Sequence, residues 1–371
     1  MEENNVEEFY WYWLVNIPMI GHKKITKLLE YFHTPYNIYK ASKKDLEDIP
    51  ILKPSDIHSI ICTRTDSNIY QEYKSMNKNN ISFVTRNSKN YPKRLAQIYD
   101  APYALYYRGS LPEEDKKTVA IIGSRKCSHY GREMAYNISN QLSREGVQII
   151  SGLASGIDAM GHRGAIEAGG STYGVLGCGV DICYPRENID LYMEMMKNGG
   201  VISEYPPKTQ PRPGLFPMRN RIISGLSDII IVVEAREKSG SLITVDQALE
   251  QNREIYAVPG RITDELSAGC NNLIKTGAGI LTNVTDLYGL LDISPDKTKK
   301  TEQFNKNLML ATAEEMLYSD LEFVPKNIDT LMKETGLEYS DILNALISLE
   351  LKGLIKEVSK NNYSKIVHKD K

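Results

Sequence analysis

The sequence has few cysteines and none in a metal-binding pattern. Its 371 residues include five cysteines, with no Cys-x-x-Cys pair and no histidine at metal-ligand spacing. This excludes a zinc ribbon or finger and a disulfide framework. We therefore expect no metal site, and cysteines that are reduced and buried, as free cysteines commonly are.

Long apolar runs are also missing. The longest, such as Asp228–Val233, are far shorter than the roughly 20 residues of a membrane span. The chain starts with the acidic stretch MEENNVEEF, whereas a signal peptide has a basic segment followed by an apolar one. We expect a cytoplasmic protein that does not associate with membranes.

The chain has no excess of either charge, with 45 Lys and Arg against 47 Asp and Glu, a net charge of −2 and a pI near 6.4. Any affinity for nucleic acid must therefore come from a local basic surface, since no general positive field exists. The length exceeds what one hydrophobic core usually supports, so we expect two or three domains.

The hydrophobic pattern divides the chain into four segments. Apolar clusters at helical spacing predict an all-α module over 1–78. Over 79–291, short β-branched runs alternate with glycine-rich turns and helical stretches, which predicts an α/β fold with a parallel sheet covered on both faces. The polar stretch 292–307 is interpreted as a linker, and 308–371 as three helices with a terminal hairpin, a winged helix.

The first candidate binding motif is the turn Gly123–Arg125, directly after an apolar strand. Glycine lets a ligand approach the backbone, the N–H groups of a helix start attract phosphate, and Arg125 is suited to clamp one. A nicotinamide fingerprint needs G-x-G-x-x-G here, but the sequence reads G-S-R-K-C-S, so no dinucleotide cofactor is predicted. The alternative is a tight turn with a solvated arginine.

The second motif, SGLASGID, carries Gly152 and Gly156 between the next strand and its helix. If the two strands are neighbours, both turns line one crevice at the carboxyl edge of the sheet. Asp158 and His162 follow at i and i+4, either as an acid/base pair or as a helix-start cap with its packing neighbour. We favour the structural interpretation.

The third motif, FPMRNRIISG, places Phe216, Arg219, Asn220 and Arg221 where an apolar helix begins, and Arg212 precedes it in a proline-rich loop. An aromatic ring that stacks on a base beside arginines that take phosphates is typical of single-strand binders. Arginines at a helix start oppose the helix dipole, which disfavours a purely structural role.

The fourth motif is the turn Ser239–Gly240–Ser241, which either cradles a phosphate or caps the following helix. Each motif is weak alone. Four such turns on one sheet edge favour a shared phosphate-binding site.

Taken in order, the motifs GSR, GLASGID, VLGCGVDICYP, SEYPP, FPMRNRIISGLS, VVEA, SGSLIT and AVPG resemble the DprA/Smf family over 91–291. The resemblance implies an extended Rossmann-like domain that binds and protects single-stranded DNA, forms a homodimer and helps load a RecA-type recombinase in natural transformation, without catalysis. The DNA pocket that it implies contains Ser124, Arg125, Gly152, Gly156, Phe216, Arg219, Asn220 and Arg221. Some family members have a lysine close before the phenylalanine, where this chain has Arg212.

The flanks resemble accessory domains of the same family. Leu14–Lys24 resembles half of a helix-hairpin-helix, but the would-be second half, Ile49–Pro54, lacks the glycine, which favours a structural or interaction module. Leu349–Ile355 and Tyr363–Ile366 resemble the winged helix. From Leu308 onward there are eight Lys and Arg against eleven Asp and Glu, so we favour protein interaction over duplex binding there.

Two other functions compete with this interpretation. Nucleotide phosphoribohydrolases share such a sheet, but they carry PGGxGT with a following glutamate where this chain has Lys238–Thr244, so the catalytic pattern is missing. A transcription regulator that uses the C-terminal helices is disfavoured by their negative balance.

Overall fold

The computed structural model describes residues 3–293, 312–321, 325–352 and 354–365. The chain divides into two compact units, 1–293 and 294–371. The predicted linker, 292–307, lies outside the described residues except for its first two positions. The predicted boundary near residue 78 stays a prediction.

Helices form the N-terminal part of the first unit, as predicted. Their apolar faces surround Trp13 and Leu14, both fully buried, and the same cluster continues into Tyr106 of the sheet. The side chain of Asn16 donates a hydrogen bond to the Tyr106 hydroxyl at 2.7 Å. These helices are α1 (Glu3–Val15), α2 (His22–Phe32), α3 (Pro35–Lys40), α4 (Lys43–Glu47), α5 (Pro54–Arg64) and α6 (Ser67–Lys78).

A nine-stranded sheet follows, in the order β1-β2-β6-β5-β4-β3-β7-β8-β9. Strands β3 to β9 are parallel, whereas β1 and β2 run antiparallel at one edge. The sequence pattern predicts the parallel part and misses the antiparallel edge. The strands are β1 (Ser82–Thr85), β2 (Ala104–Gly109), β3 (Thr118–Ile122), β4 (Gln148–Ser151), β5 (Thr172–Val175), β6 (Gly199–Ser203), β7 (Ile229–Val232), β8 (Glu254–Ala257) and β9 (Gly279–Ile280).

Side chains alternate between the two faces of the sheet along each strand, and both faces are buried. In β3, Val119 and Ile121 pack in the apolar cluster of one face, whereas Ala120 and Ile122 pack in that of the other. This confirms the predicted double covering. The covering helices are α7 (Lys93–Ala96), α8 (His129–Arg144), α9 (Ile157–Glu167), α10 (Ile189–Met195), α11 (Leu215–Gly225), α12 (Leu242–Glu250) and α13 (Glu265–Lys275), with 3₁₀ turns at Arg186–Asn188 and Val284–Leu287.

The second unit is a winged helix, as predicted. Its helices enclose Leu317, Leu331 and Leu346, and its strands pair in the order β10-β12-β11. The predicted last strand is Tyr363–Val367, and its last two residues, Ile366 and Val367, lie outside the described residues. The elements are α14 (Thr312–Asp320), β10 (Lys326–Asn327), α15 (Ile328–Thr335), α16 (Tyr339–Leu351), β11 (Ile355–Ser359) and β12 (Asn362–Lys365).

Candidate nucleic-acid interface

Strand β3 lies where the strand order reverses. It pairs with β4 on one side and β7 on the other, in parallel, so the loops after these three strands meet at one edge. This confirms that the GSR and GLASGID turns follow neighbouring strands. In open α/β sheets, ligands bind at the carboxyl edge beside such a switch point.

The two turns contact each other through backbone atoms. Gly156 has φ +82°, and a Cβ there would lie 2.4 Å from the carbonyl oxygen of Ser124 and 2.5 Å from that of Arg125. The Ile157 N–H donates to the Ser124 carbonyl at 3.2 Å. Gly156 is therefore required both by its backbone conformation and by the close approach of the GSR turn.

Glu234, which follows β7 and is buried, holds the GSR turn from the other side. Its carbonyl accepts the Ser124 N–H at 2.7 Å, and its carboxylate accepts the Ser128 N–H at 2.8 Å and the Ser128 hydroxyl. A Cβ on Gly131 would lie 2.3 Å from that carboxylate. The turn is thus fixed before any ligand arrives.

Arg125, Phe216 and Tyr184 lie together at this edge. The exposed Arg125 guanidinium carbon lies 5.6 Å from the centre of the Phe216 ring, and the rings of Phe216 and Tyr184 are 5.5 Å apart and inclined by 31°. Arg125 forms no ion pair with any described residue. Together with Gly152 and Ser155, these three side chains line a shallow depression, here called the Arg125–Phe216 depression.

Gly177 lies against Phe216, since a Cβ there would come within 2.8 Å of its ring. Tyr184, 42% exposed, is a candidate that sequence reasoning missed. The available signal was an aromatic residue directly before Pro185, in the loop after β5.

Arg219 is buried beneath the GLASGID turn, and it also lines the depression. It is 5% exposed and donates hydrogen bonds to the carbonyls of Gly152, at 2.8 Å, and Val175. Burial lowers its pKa to about 10, so it stays charged at neutral pH. A Cβ on Gly152 would lie 2.7 Å from its guanidinium nitrogens.

Arg221 is also buried, with its side chain 6% exposed. Its guanidinium forms a two-point ion pair with Glu204, at 2.6 and 3.1 Å, and contacts Asp100 at 2.9 Å. Those partners occupy most of its donors.

The remaining candidates are not among the residues that line the depression. Arg212 is exposed and Asn220 half-buried, before and within α11. In the loop after β7, the hydroxyls of Ser239 and Ser241 are 2.8 Å apart, and Gly240 has open space around it.

Asp158 and His162 have separate partners, which fits the structural interpretation. The Asp158 carboxylate accepts the N–H groups of Gly152 and Ala154 at 3.1 and 3.4 Å, and burial raises its pKa. His162 is fully buried, and its Nδ1 lies 2.7 Å from the Thr172 hydroxyl.

Among the described residues, no helix is long and apolar enough to cross a membrane. Over the same part of the chain, no three histidine, cysteine or carboxylate side chains converge on a point where a metal ion would bind.

The family models and the similar proteins all indicate the same family. The family model for DNA recombination-mediator protein A matches residues 82–292, and that for the DprA winged helix domain matches 308–359. DNA processing protein DprA of Bacillus subtilis is 44% identical over 209 residues, which are 56% of this chain and 70% of that protein. Protein Smf of Synechocystis is 30% identical over 95% of this chain and 97% of its own length.

Two solved structures are similar. That of DNA processing protein A from Streptococcus pneumoniae has a TM-score of 0.64 and 32% identity, and covers 80% of this chain and all of that one. The other is DNA processing protein A from Helicobacter pylori, a structure that describes its single-stranded DNA binding mode. It has a TM-score of 0.53 and 30% identity, and the match covers 58% of this chain and 97% of that one.

Proposed function

Because the chain belongs to the DNA recombination-mediator protein A family, as its motifs predict, we propose that it binds single-stranded DNA at the Arg125–Phe216 depression. The observation that carries the proposal is an unpaired, exposed guanidinium over an aromatic ring that also has a second ring, Tyr184, beside it. Bases stack on such rings whatever their sequence, and the cation takes a phosphate.

The candidate residues divide by exposure into two roles. Arg125, Phe216 and Tyr184 make direct contacts, while the buried Arg219 and Arg221 hold the turn and helix that present them. The proposed contacts also include Ser124, Gly152, Gly156, Arg212, Asn220, Ser239, Gly240 and Ser241, of which Gly152 lines the depression.

Binding of a labelled oligothymidylate, followed by fluorescence anisotropy, tests this proposal. Arg125→Ala weakens binding by about tenfold and lowers the salt slope by about 0.7, the contribution of one phosphate on a single strand. Phe216→Ala weakens it by about tenfold through lost stacking, with the salt slope unchanged.

Arg144→Ala is the matched control, since Arg144 is exposed in the last turn of α8, at the other edge of the sheet. It leaves affinity and salt slope unchanged. Wild-type affinity in both Arg125→Ala and Phe216→Ala would exclude the depression as the binding site.

The family also supports a role without catalysis, in which a cytoplasmic homodimer presents the strand to a RecA-type recombinase and so protects incoming DNA in transformation. Light scattering of the purified chain gives its mass in solution. A pull-down with the host recombinase, with and without oligonucleotide, tests the partner.

A further inference from the structure

A second cavity, of about 470 Å³, opens between the N-terminal helices and the antiparallel edge of the sheet. It is bounded by α1, α6, β2 and the loops after β5 and β6, and it shares no lining residue with the Arg125–Phe216 depression. Its volume lies within the range of small-molecule sites.

Two cations in this cavity are available to an anionic ligand. Arg108 of β2 forms no ion pair with any described residue: its guanidinium donates to the Tyr192 hydroxyl at 3.0 Å, and its buried Nε has no hydrogen-bond partner. Lys208 has a largely exposed side chain, with Nζ 3.7 Å from the Glu72 carboxylate. An exposed pair at that distance is weak and is readily exchanged for a stronger anion.

An acceptor without a donor also lines the cavity. The Asn16 amide nitrogen donates to the Tyr12 carbonyl and the Tyr106 hydroxyl, both at 2.7 Å, whereas its buried Oδ1 has no partner. A buried polar atom left unpaired is unfavourable. A ligand with N–H or hydroxyl donors would satisfy this oxygen once the Asn16 side chain turns it toward the cavity.

The rest of the wall is mixed. It has a polar part, with Tyr12, Ser75 and Asn79 and the carboxylates of Glu72 and Asp181, and an apolar part, formed by Ile69, Met76, Ile81, Pro206 and Pro207. The apolar part suits a flat ring. A planar ring, hydrogen-bond donors and an anionic group occur together in a nucleotide. We propose that this cavity binds a nucleoside phosphate, either free or at the end of a DNA strand, with its phosphate at Arg108 and Lys208 and a donor group on Asn16.

Calorimetry of the full chain with dTMP and dAMP tests this, with thymidine and inorganic phosphate as partial ligands. We expect one nucleotide per chain, and affinities about tenfold weaker for each partial ligand, because each lacks one set of contacts. Lys208→Gly and Arg108→Gln each weaken nucleotide binding by about tenfold. Lys208 has φ +68°, so glycine fits there without strain and this variant stays folded even where Arg108→Gln is destabilised.

Arg125→Ala separates the two sites, because it removes the exposed cation of the depression and leaves this cavity intact. Nucleotide binding that persists in Arg125→Ala and weakens in Lys208→Gly supports the proposal. Binding that is lost in Arg125→Ala and retained in Lys208→Gly overturns it, as does the absence of any binding at millimolar nucleotide.

In the Arg125→Ala background, oligothymidylates with a 5′-phosphate and with a 5′-hydroxyl identify the source of the ligand. Tighter binding of the phosphorylated strand, abolished by Lys208→Gly, identifies a strand end. Equal binding of both strands alongside retained dTMP binding identifies the free nucleotide.

Discussion

At the scale of single residues, the guanidinium of Arg221 is not accessible to a ligand. Its guanidinium is shared between Glu204 and Asp100, and its side chain is almost fully buried. Arg125 is exposed and has no acidic partner among the residues that the structure describes. Burial and ion pairing therefore distinguish the two arginines.

Arg221→Ala is expected to lower the free energy of unfolding by about 3 kcal/mol, because it leaves Glu204 partly buried and uncompensated. Urea unfolding measures this loss. The folded variant keeps its oligonucleotide affinity, and Arg125→Ala, an exposed substitution, changes stability by less than about 0.5 kcal/mol. Unchanged stability combined with weaker DNA binding would instead make Arg221 a direct contact.

His162 predicts a pH dependence of stability. The Thr172 hydroxyl donates to the Ile149 carbonyl, so His162 Nδ1 is the donor in its own contact with that hydroxyl. Burial lowers its pKa to about 3, whereas an unfolded histidine has a pKa of about 6.5. Below pH 6.5 the unfolded chain binds a proton that the folded chain does not. The free energy of unfolding therefore decreases by about 1.4 kcal/mol for each unit by which the pH is lowered.

His162→Gln removes this dependence while it keeps a donor for Thr172. Urea unfolding of both proteins between pH 7.5 and 5 measures it, and the comparison cancels the other titrating groups. The stability advantage of the wild type shrinks as the pH falls. A difference that stays constant would mean that His162 is protonated in the fold.

At the scale of elements, the GLASGID turn depends on Gly156. Gly156→Ala is expected to destabilise the chain by several kcal/mol and to weaken DNA binding, because its Cβ would strike the carbonyls of the GSR turn. Gly146→Ala is the control: Gly146 also has positive φ, at +85°, but nothing lies within 4 Å of its Cβ position. It costs only about 1 kcal/mol, from backbone strain.

Thermal and urea unfolding of the two variants, with anisotropy on the folded fractions, make this comparison. Equal losses in both would mean that backbone conformation, and not the contact between the turns, makes glycine necessary at residue 156.

The elements also show what the sequence could predict. The parallel strands and their turns were predictable because β-branched runs and glycines are local signals. Strand β2 was missed, and nothing local in the sequence marks its antiparallel pairing with β6, Tyr106 opposite Ser203. The burial of Arg219 and Arg221 was hidden for the same reason, since Gly152, Asp100 and Glu204 carry no local mark of those contacts.

At the scale of the whole molecule, the two compact units predict a division of function. The depression lies entirely within residues 1–293, and the C-terminal segment carries more acidic than basic residues. A chain ending at residue 293 is therefore expected to keep its fold and its oligothymidylate affinity.

Anisotropy and thermal unfolding of that shortened chain test this, with Arg125→Ala in the same background as the control for specific binding. A large loss of affinity on shortening, with the melting temperature preserved, would assign DNA contacts to the winged helix.

Glu234 has a consequence for the speed of binding. One buried residue fixes the GSR turn through both its carbonyl and its carboxylate, so no loop has to become ordered when a strand arrives. The entropy of arranging the turn is lost during folding and not during association. The association rate should then follow diffusion and charge, rising as salt is removed, with no slow step of rearrangement after the first encounter.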